Sequence, residues 1–242
     1  MTAYLFEFIG TAILILLGNG VVANLVLKGT KGADLGWVGI ATAWGIAVFV
    51  AVYVSAGESG AHINPAVTIG LATAGKFDWQ LVPGYMIAQV LGAMFGNTLV
   101  WLTYKKQYEA TEDQEALRAT FCTSPAIRSP FWNFTTEFIG TFILVFGVFF
   151  IAGGNFSGEP VSLGSLDALP VALLVIGIGF SLGGPTGYAI NPARDLGPRI
   201  MHAILPLKNK GGSDWTYSWI PVIAPLTGGI LAALIYSMIE TV

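Results

Sequence analysis

Hydrophobic positions in this chain fall into long unbroken runs rather than alternating stripes, and polar residues collect between the runs. Runs apolar all the way round predict helices surrounded by lipid or buried in a large core. Six of them approach the roughly 17–25 residues that a membrane crossing needs. They lie near Tyr4–Leu27, Leu35–Ala56, Pro83–Tyr104, Phe131–Gly153, Leu169–Leu182 and Tyr217–Ile239. The fifth is the shortest and breaks at Gly183-Gly184-Pro185. The pattern predicts an all-α membrane protein with six transmembrane helices.

Two weaker apolar stretches, Asn64–Ala74 and Asn191–Ala203, are too short to cross. As a helix the first spans about 16 Å, half of a hydrocarbon core of about 30 Å. Each opens on Asn followed by Pro. Asn caps the first backbone N–H groups, and Pro is tolerated in the first turn. The stretches are therefore expected to be re-entrant half-helices. Irregular backbone at membrane depth is allowed only where protein or a water-filled path surrounds it, so a pore is implied.

The two stretches belong to a repeat. Asn64-Pro65-Ala66 returns as Asn191-Pro192-Ala193, Glu7-Phe8-Ile9-Gly10-Thr11 as Glu137-Phe138-Ile139-Gly140-Thr141, and Ile87–Gly92 as Ile223–Gly228. The separations are 130, 127 and 136 residues, the spread reflecting loop changes. One domain over 1–242 is expected, with halves of about 1–108 and 131–242 joined by a loop over 109–130. Neither half would pack its short helix alone. An inverted duplication places both half-helix starts at the midplane, where a solute path belongs.

Composition agrees with a membrane chain: 54% of residues are hydrophobic and 10% charged, with mean hydropathy +0.70. A soluble domain carries roughly 25% charge. A net charge of −3 gives no nucleic-acid footprint. The single Cys122 excludes an internal disulfide and a cysteine metal site. No cleavable leader is evident, since Met1-Thr2-Ala3 lacks a basic start. His62 has no second ligand at metal spacing, and no nucleophile–base set or phosphate loop is present. Neither an enzyme nor a bound cofactor is expected.

The segments SGAHINPAVT (Ser59–Thr68) and TGYAINPARD (Thr186–Asp195), set in a duplicated six-span frame, closely resemble the signature loops of the aquaporin family of membrane channels. Asp195 and Pro221 are similar to the glycerol-conducting branch. The resemblance implies an aquaporin-like inverted repeat, a homotetramer with one pore per subunit, and a multi-pass place in a bacterial plasma membrane with both termini cytoplasmic. It also implies a narrowest ring of Trp44, Gly179, Tyr188 and Arg194. Trp44 and Tyr188 would give an apolar corner for a polyol's carbons, with Arg194 and carbonyls taking its hydroxyls. Gly179 would leave width that a His would fill. Tyr188 departs from the usual Phe of bacterial glycerol facilitators and adds a hydroxyl.

The residues carry their own chemistry. Each helix N-terminus bears roughly half a positive charge, so two facing ends repel cations. Asn64 and Asn191 would cap with their oxygens and offer amide N–H groups to the lumen, orienting a passing hydroxyl and interrupting a proton wire. Arg194 adds donors and a further barrier, whereas Arg199 reads as an interfacial arginine reaching for water. The acids Glu7 and Glu137 would accept backbone N–H groups of the re-entrant loops, with His62 nearby. Gly10, Gly92, Gly140 and Gly228 would allow close helix packing.

One rule dissents: with a cytoplasmic N-terminus only Lys76 of the eleven Lys and Arg lies inside, against the positive-inside bias. The family topology is preferred, because Arg194 and Arg199 belong to the pore segment.

The expected function is passive conduction of glycerol, water and similar small neutral solutes such as urea, with protons and ions excluded. Three other readings are a path for undissociated organic acids such as lactic acid, a proton-coupled transporter using Glu7 or Glu137, and a water-specific channel.

Overall fold

The structure, a computed structural model, describes residues 1–152, 155–156, 159–160 and 163–240. Among the described residues five helices are long and apolar enough to cross a membrane: α1 (Thr2–Val26), α2 (Gly36–Ser59), α4 (Val82–Thr103), α7 (Pro130–Ala152) and α10 (Ile220–Glu240). A sixth apolar helix, α8 (Leu169–Leu182), has 14 residues and ends where Gly183-Gly184-Pro185 was expected to stop it. The half-helices are α3 (Pro65–Thr73) and α9 (Pro192–Ile204). The expected end of the fourth span at Gly153 lies outside the described residues.

The charged connection after α4 is not a plain loop. It holds two short helices, α5 (Lys105–Ala110) and α6 (Gln114–Ala119), the latter capped by Asp113 Oδ1 on the Glu115 and Ala116 N–H groups. Two-residue strands β1 (Asn155–Phe156) and β2 (Glu159–Pro160) pair antiparallel between α7 and α8.

Packing repeats with the sequence. Helix α1 lies against α2 and α4, and its counterpart α7 lies against α8 and α10. The half-helices exchange partners: α3 packs on α10 of the other half, and α9 on α4. Close approach at the two matching contacts depends on glycine. A methyl group at Gly92 would sit 2.3 Å from the Phe8 carbonyl oxygen, and one at Gly228 would sit 2.5 Å from the Phe138 carbonyl oxygen. Helices α1 and α4, like α7 and α10, meet backbone to backbone, as small residues permit in membranes.

The two ends of the molecule differ in charge. Lys76 pairs with Glu240 at 3.0 Å at one end. At the other, the Lys28 N–H donates to Thr111 Oγ1, Asn209 Nδ2 donates to the Thr111 carbonyl, and Arg128 pairs with Asp214. The basic loops therefore gather on the face opposite Lys76, as the sequence grouping requires.

Candidate functional site

Each half-helix begins as its residues dictate. Asn64 and Asn191 are extended, with φ −158° and −155°, and Pro65 and Pro192 occupy the first helical turn. Asn64 Oδ1 accepts from the Ala66 N–H at 2.9 Å, and Asn191 Oδ1 from the Ala193 and Arg194 N–H groups at 3.0 and 3.2 Å. The amide nitrogens do something that spacing alone does not reveal. Asn64 Nδ2 donates to the Ile190 carbonyl and Asn191 Nδ2 to the Ile63 carbonyl, each at 2.9 Å. One N–H of each amide thus ties the two halves together, and no acceptor for the second stands among the described residues.

The loops that lead into these caps are strained in matching places. Ala61, Ile63, Tyr188 and Ile190 all have positive φ, between 35° and 51°. Such backbone costs of order 1–3 kcal/mol per residue and persists only where surroundings hold it. The holding groups are the two buried acids. Glu7 accepts from the His62 and Ile63 N–H groups at 2.9 and 2.7 Å, and Glu137 accepts from those of Ala189 and Ile190 at 2.9 and 2.8 Å. Glu7 gains two further donors, Ser59 Oγ and Gln89 Nε2, each at 2.7 Å. The position corresponding to Gln89 in the second half is Pro225, so the halves are not equivalent here. His62 holds Thr68 Oγ1 through Nδ1 at 3.1 Å. Gln89 and Ser59 escaped the sequence reading, although an amide inside an apolar span is itself a signal.

A cavity of about 870 Å³ runs beside both caps. Its wall is mainly apolar, from Leu14, Val48, Val52, Val67, Leu144, Val148 and Val175, with Asn64, Asn191, His62 and Arg194 as polar insertions. Trp44, Tyr188 and Arg194 meet on it, and the Arg194 guanidinium carbon stands 4.4 Å from the Trp44 ring centre. All three are 5–7% exposed. Arg194 Nη1 and Tyr188 Oη have no hydrogen-bond partner among the described residues.

Gly179 differs from its expected place. It does not line the cavity; it stands behind Tyr188, and a methyl group there would lie 3.1 Å from Tyr188 Cζ and Oη. The absent side chain makes room for the tyrosine ring.

Arg199 is a correction. It is fully buried rather than reaching for the interface. Its Nε donates to Asp195 Oδ1 at 2.7 Å, Nη2 to Asp195 Oδ2 and the Thr123 carbonyl at 3.0 Å each, and Nη1 to the Ser213 carbonyl at 2.7 Å. Asp195 also accepts from the Thr123 N–H and hydroxyl at 2.8 and 2.7 Å. A buried charge survives when paired and fully hydrogen-bonded, and one helical turn between Asp195 and Arg199 provides the pair. The unit staples two loops to α9 directly beside Arg194. Pro221 is buried in the first turn of α10, where a missing N–H costs nothing.

Comparison with known proteins bears on the family and the fold. The family model described as "Major intrinsic protein" matches residues 1–236. The chain is 54% identical over 237 residues to a "Probable glycerol uptake facilitator protein" of Thermotoga maritima, covering 98% of this chain and 99% of that one. It is 52% identical over 233 residues to "Glycerol uptake facilitator protein 3" of Lactiplantibacillus plantarum, covering 96% and 95%. Among solved structures, the aquaglyceroporin of Plasmodium falciparum superposes with a TM-score of 0.86 at 34% identity, over 99% of this chain and 96% of that one.

Proposed function

The chain belongs to the major intrinsic protein family, whose members are membrane channels and facilitators rather than enzymes, and we propose that it is a passive channel for glycerol and other small neutral solutes. The observation that carries this reading is the pair of half-helix starts, cross-tied through Asn64 and Asn191 beside one mainly apolar cavity. A polyol has a carbon edge and a hydroxyl edge. The Val and Leu wall suits the first; the Asn amides, Arg194 and loop carbonyls suit the second. Water passes by the same groups. Two half-positive helix ends and Arg194 make the centre hostile to cations and hydronium.

The ring of Trp44, Tyr188 and Arg194, with Gly179 as its backing, is assigned as the selectivity filter. Glu7, Glu137 and His62 hold the loops. The halves of about 1–108 and 131–242 work as one channel unit, in a homotetramer within the cell membrane and with both termini cytoplasmic. Many apolar side chains on the outer helix faces, Val38, Ile46, Ile87, Leu173 and Leu234 among them, are exposed and would meet lipid or other subunits.

Stopped-flow light scattering on proteoliposomes with glycerol, urea, water and lactic acid at two pH values tests the reading. Glycerol should enter down its gradient without saturation, and an imposed proton gradient should leave its rate unchanged. Lactic acid flux, if present, should rise as pH falls, because only the neutral form avoids carrying charge through a low-dielectric passage. Glycerol accumulation against its gradient would replace the channel with a transporter.

A further inference from the structure

The Tyr188 ring is unusually dependent on its neighbours. Its backbone is left-handed, with φ 35°, and its hydroxyl finds no hydrogen-bond partner among the described residues. Packing must hold the ring where it is. One face of α8 supplies a bed: Gly179 and Gly183 lie one turn apart, on the same side of the helix. A methyl group at Gly179 would come within 3.1 Å of Tyr188 Cζ and Oη, and one at Gly183 within 2.5 Å of Tyr188 Cδ1. The ring therefore lies along the last turn of α8 over two missing side chains.

Trp37, on α2, closes this bed from the other side. Its ring meets Tyr188 edge-on, with centroids 5.9 Å apart and planes at 77°, a favoured aromatic arrangement. Its Nε1 donates to the Gly179 carbonyl at 2.9 Å, in the final turn of α8 where carbonyls lack helical partners. The same methyl group imagined on Gly183 would also lie 2.7 Å from Trp37 Cζ2 and 2.6 Å from the Gly179 carbonyl oxygen. Four groups thus share one contact point, and Trp37 itself does not line the cavity.

We propose that Trp37 and Gly183 are positioning residues of the filter: together they clamp the Tyr188 ring against α8, and so set the pore's width and polarity from outside the pore. The inference rests on the filter reading given above. Trp37 acts through Tyr188, and its bond to the Gly179 carbonyl ties the indole to the last turn of α8. A released ring swings into the passage and obstructs a larger solute more than water.

Trp37 is 41% exposed, so trimming it leaves no large internal void and the fold should survive. In Trp37→Ala the glycerol-to-water permeability ratio should fall about threefold or more, the lower end of the coupling expected between side chains in contact. Trp37→Phe, which keeps the edge contact and loses the N–H, should recover most of the ratio. In a Tyr188→Ala background, Trp37→Ala should change the ratio no further. Gly183→Ala should act like Trp37→Ala. Fluorotyrosine-labelled protein reads the ring without any solute, its Tyr188 resonance assigned by loss in Tyr188→Phe; this resonance should shift and broaden in Trp37→Ala. An unmoved resonance, or an unchanged ratio in correctly inserted Trp37→Ala protein, overturns the inference. Absence of glycerol flux through the parent overturns the functional reading instead, and the resonance then decides the positioning role.

Discussion

Asn64 donates from Nδ2 to the Ile190 carbonyl at 2.9 Å, and Asn191 returns the bond to Ile63, so each half of the molecule caps its own short helix and holds the other's loop. The capping residue is therefore also the seam. In Asn64→Ala both bonds go, leaving the Ala66 N–H and the Ile190 carbonyl short of a partner. The cost should be about 1–3 kcal/mol from the lost cap and the unpaired group. Thermal unfolding in detergent should show a lower midpoint, and proteoliposomes should show faster proton leak than the parent. A variant as stable and as tight as the parent would remove Asn64 from both roles.

Glu7 and Glu137 predict unequal losses. Replacing either with Gln turns an amide N–H toward a backbone donor, at about 1–3 kcal/mol for the unpaired group. Glu7→Gln should lose more, because Glu7 serves four donors including Gln89, whereas Glu137 has the Ala189 and Ile190 N–H groups with the Thr186 hydroxyl beside it and Pro225 in the place of the amide. Glycerol flux in both variants should stay indifferent to an imposed proton gradient. A gradient-dependent flux in the parent that vanishes in Glu7→Gln would instead make Glu7 a proton site.

Breaking the Asp195–Arg199 pair should be costly. Asp195→Asn leaves a fully buried guanidinium without its counter-charge, a loss of about 3–5 kcal/mol for such pairs. Arg199→Lys should rescue little, since one ammonium cannot reproduce bonds to Asp195, Thr123 and Ser213 at once. Melting of purified protein, compared with the exposed-pair control Lys106→Ala, checks both statements.

Gly179 separates two pictures of the filter. If it faced the lumen, Gly179→His would simply narrow the passage. In this structure an added methyl already comes within 3.0 Å of Ala41 Cβ and 3.1 Å of the Tyr188 ring. Gly179→Ala should therefore push Tyr188 by a few tenths of an ångström and lower the glycerol-to-water ratio without blocking water. Gly179→His should depress expression unless Tyr188 is trimmed as well. A well-folded Gly179→His single variant with parental ratio would place the constriction elsewhere.

Much of the architecture could be read from residues alone, because the signals are local. Apolar run length marks a span, Asn followed by Pro marks a helix start, and Gly183-Gly184-Pro185 marks the end of α8. Duplication adds a long-range statement, since a repeat places Glu7 beside one loop and Glu137 beside the other. Two short helices inside the charged connection were not legible, because six residues carry too little periodicity to register.

What tertiary structure alone decided concerns which buried polar group meets which. Arg199 looks like any arginine near a helix end until the fold brings Thr123 and Ser213 to it, across more than seventy residues in one case. The Asn amides show their caps in sequence and their cross-ties only in space. Gly179 has the right spacing for a place in the ring, yet it stands behind Tyr188, because a missing side chain is a vacancy that some other chain segment must fill. Local pattern determines what each segment becomes. The partners of a charge, an amide or a vacancy depend on which distant segments close packing brings together, and only the folded chain contains that information.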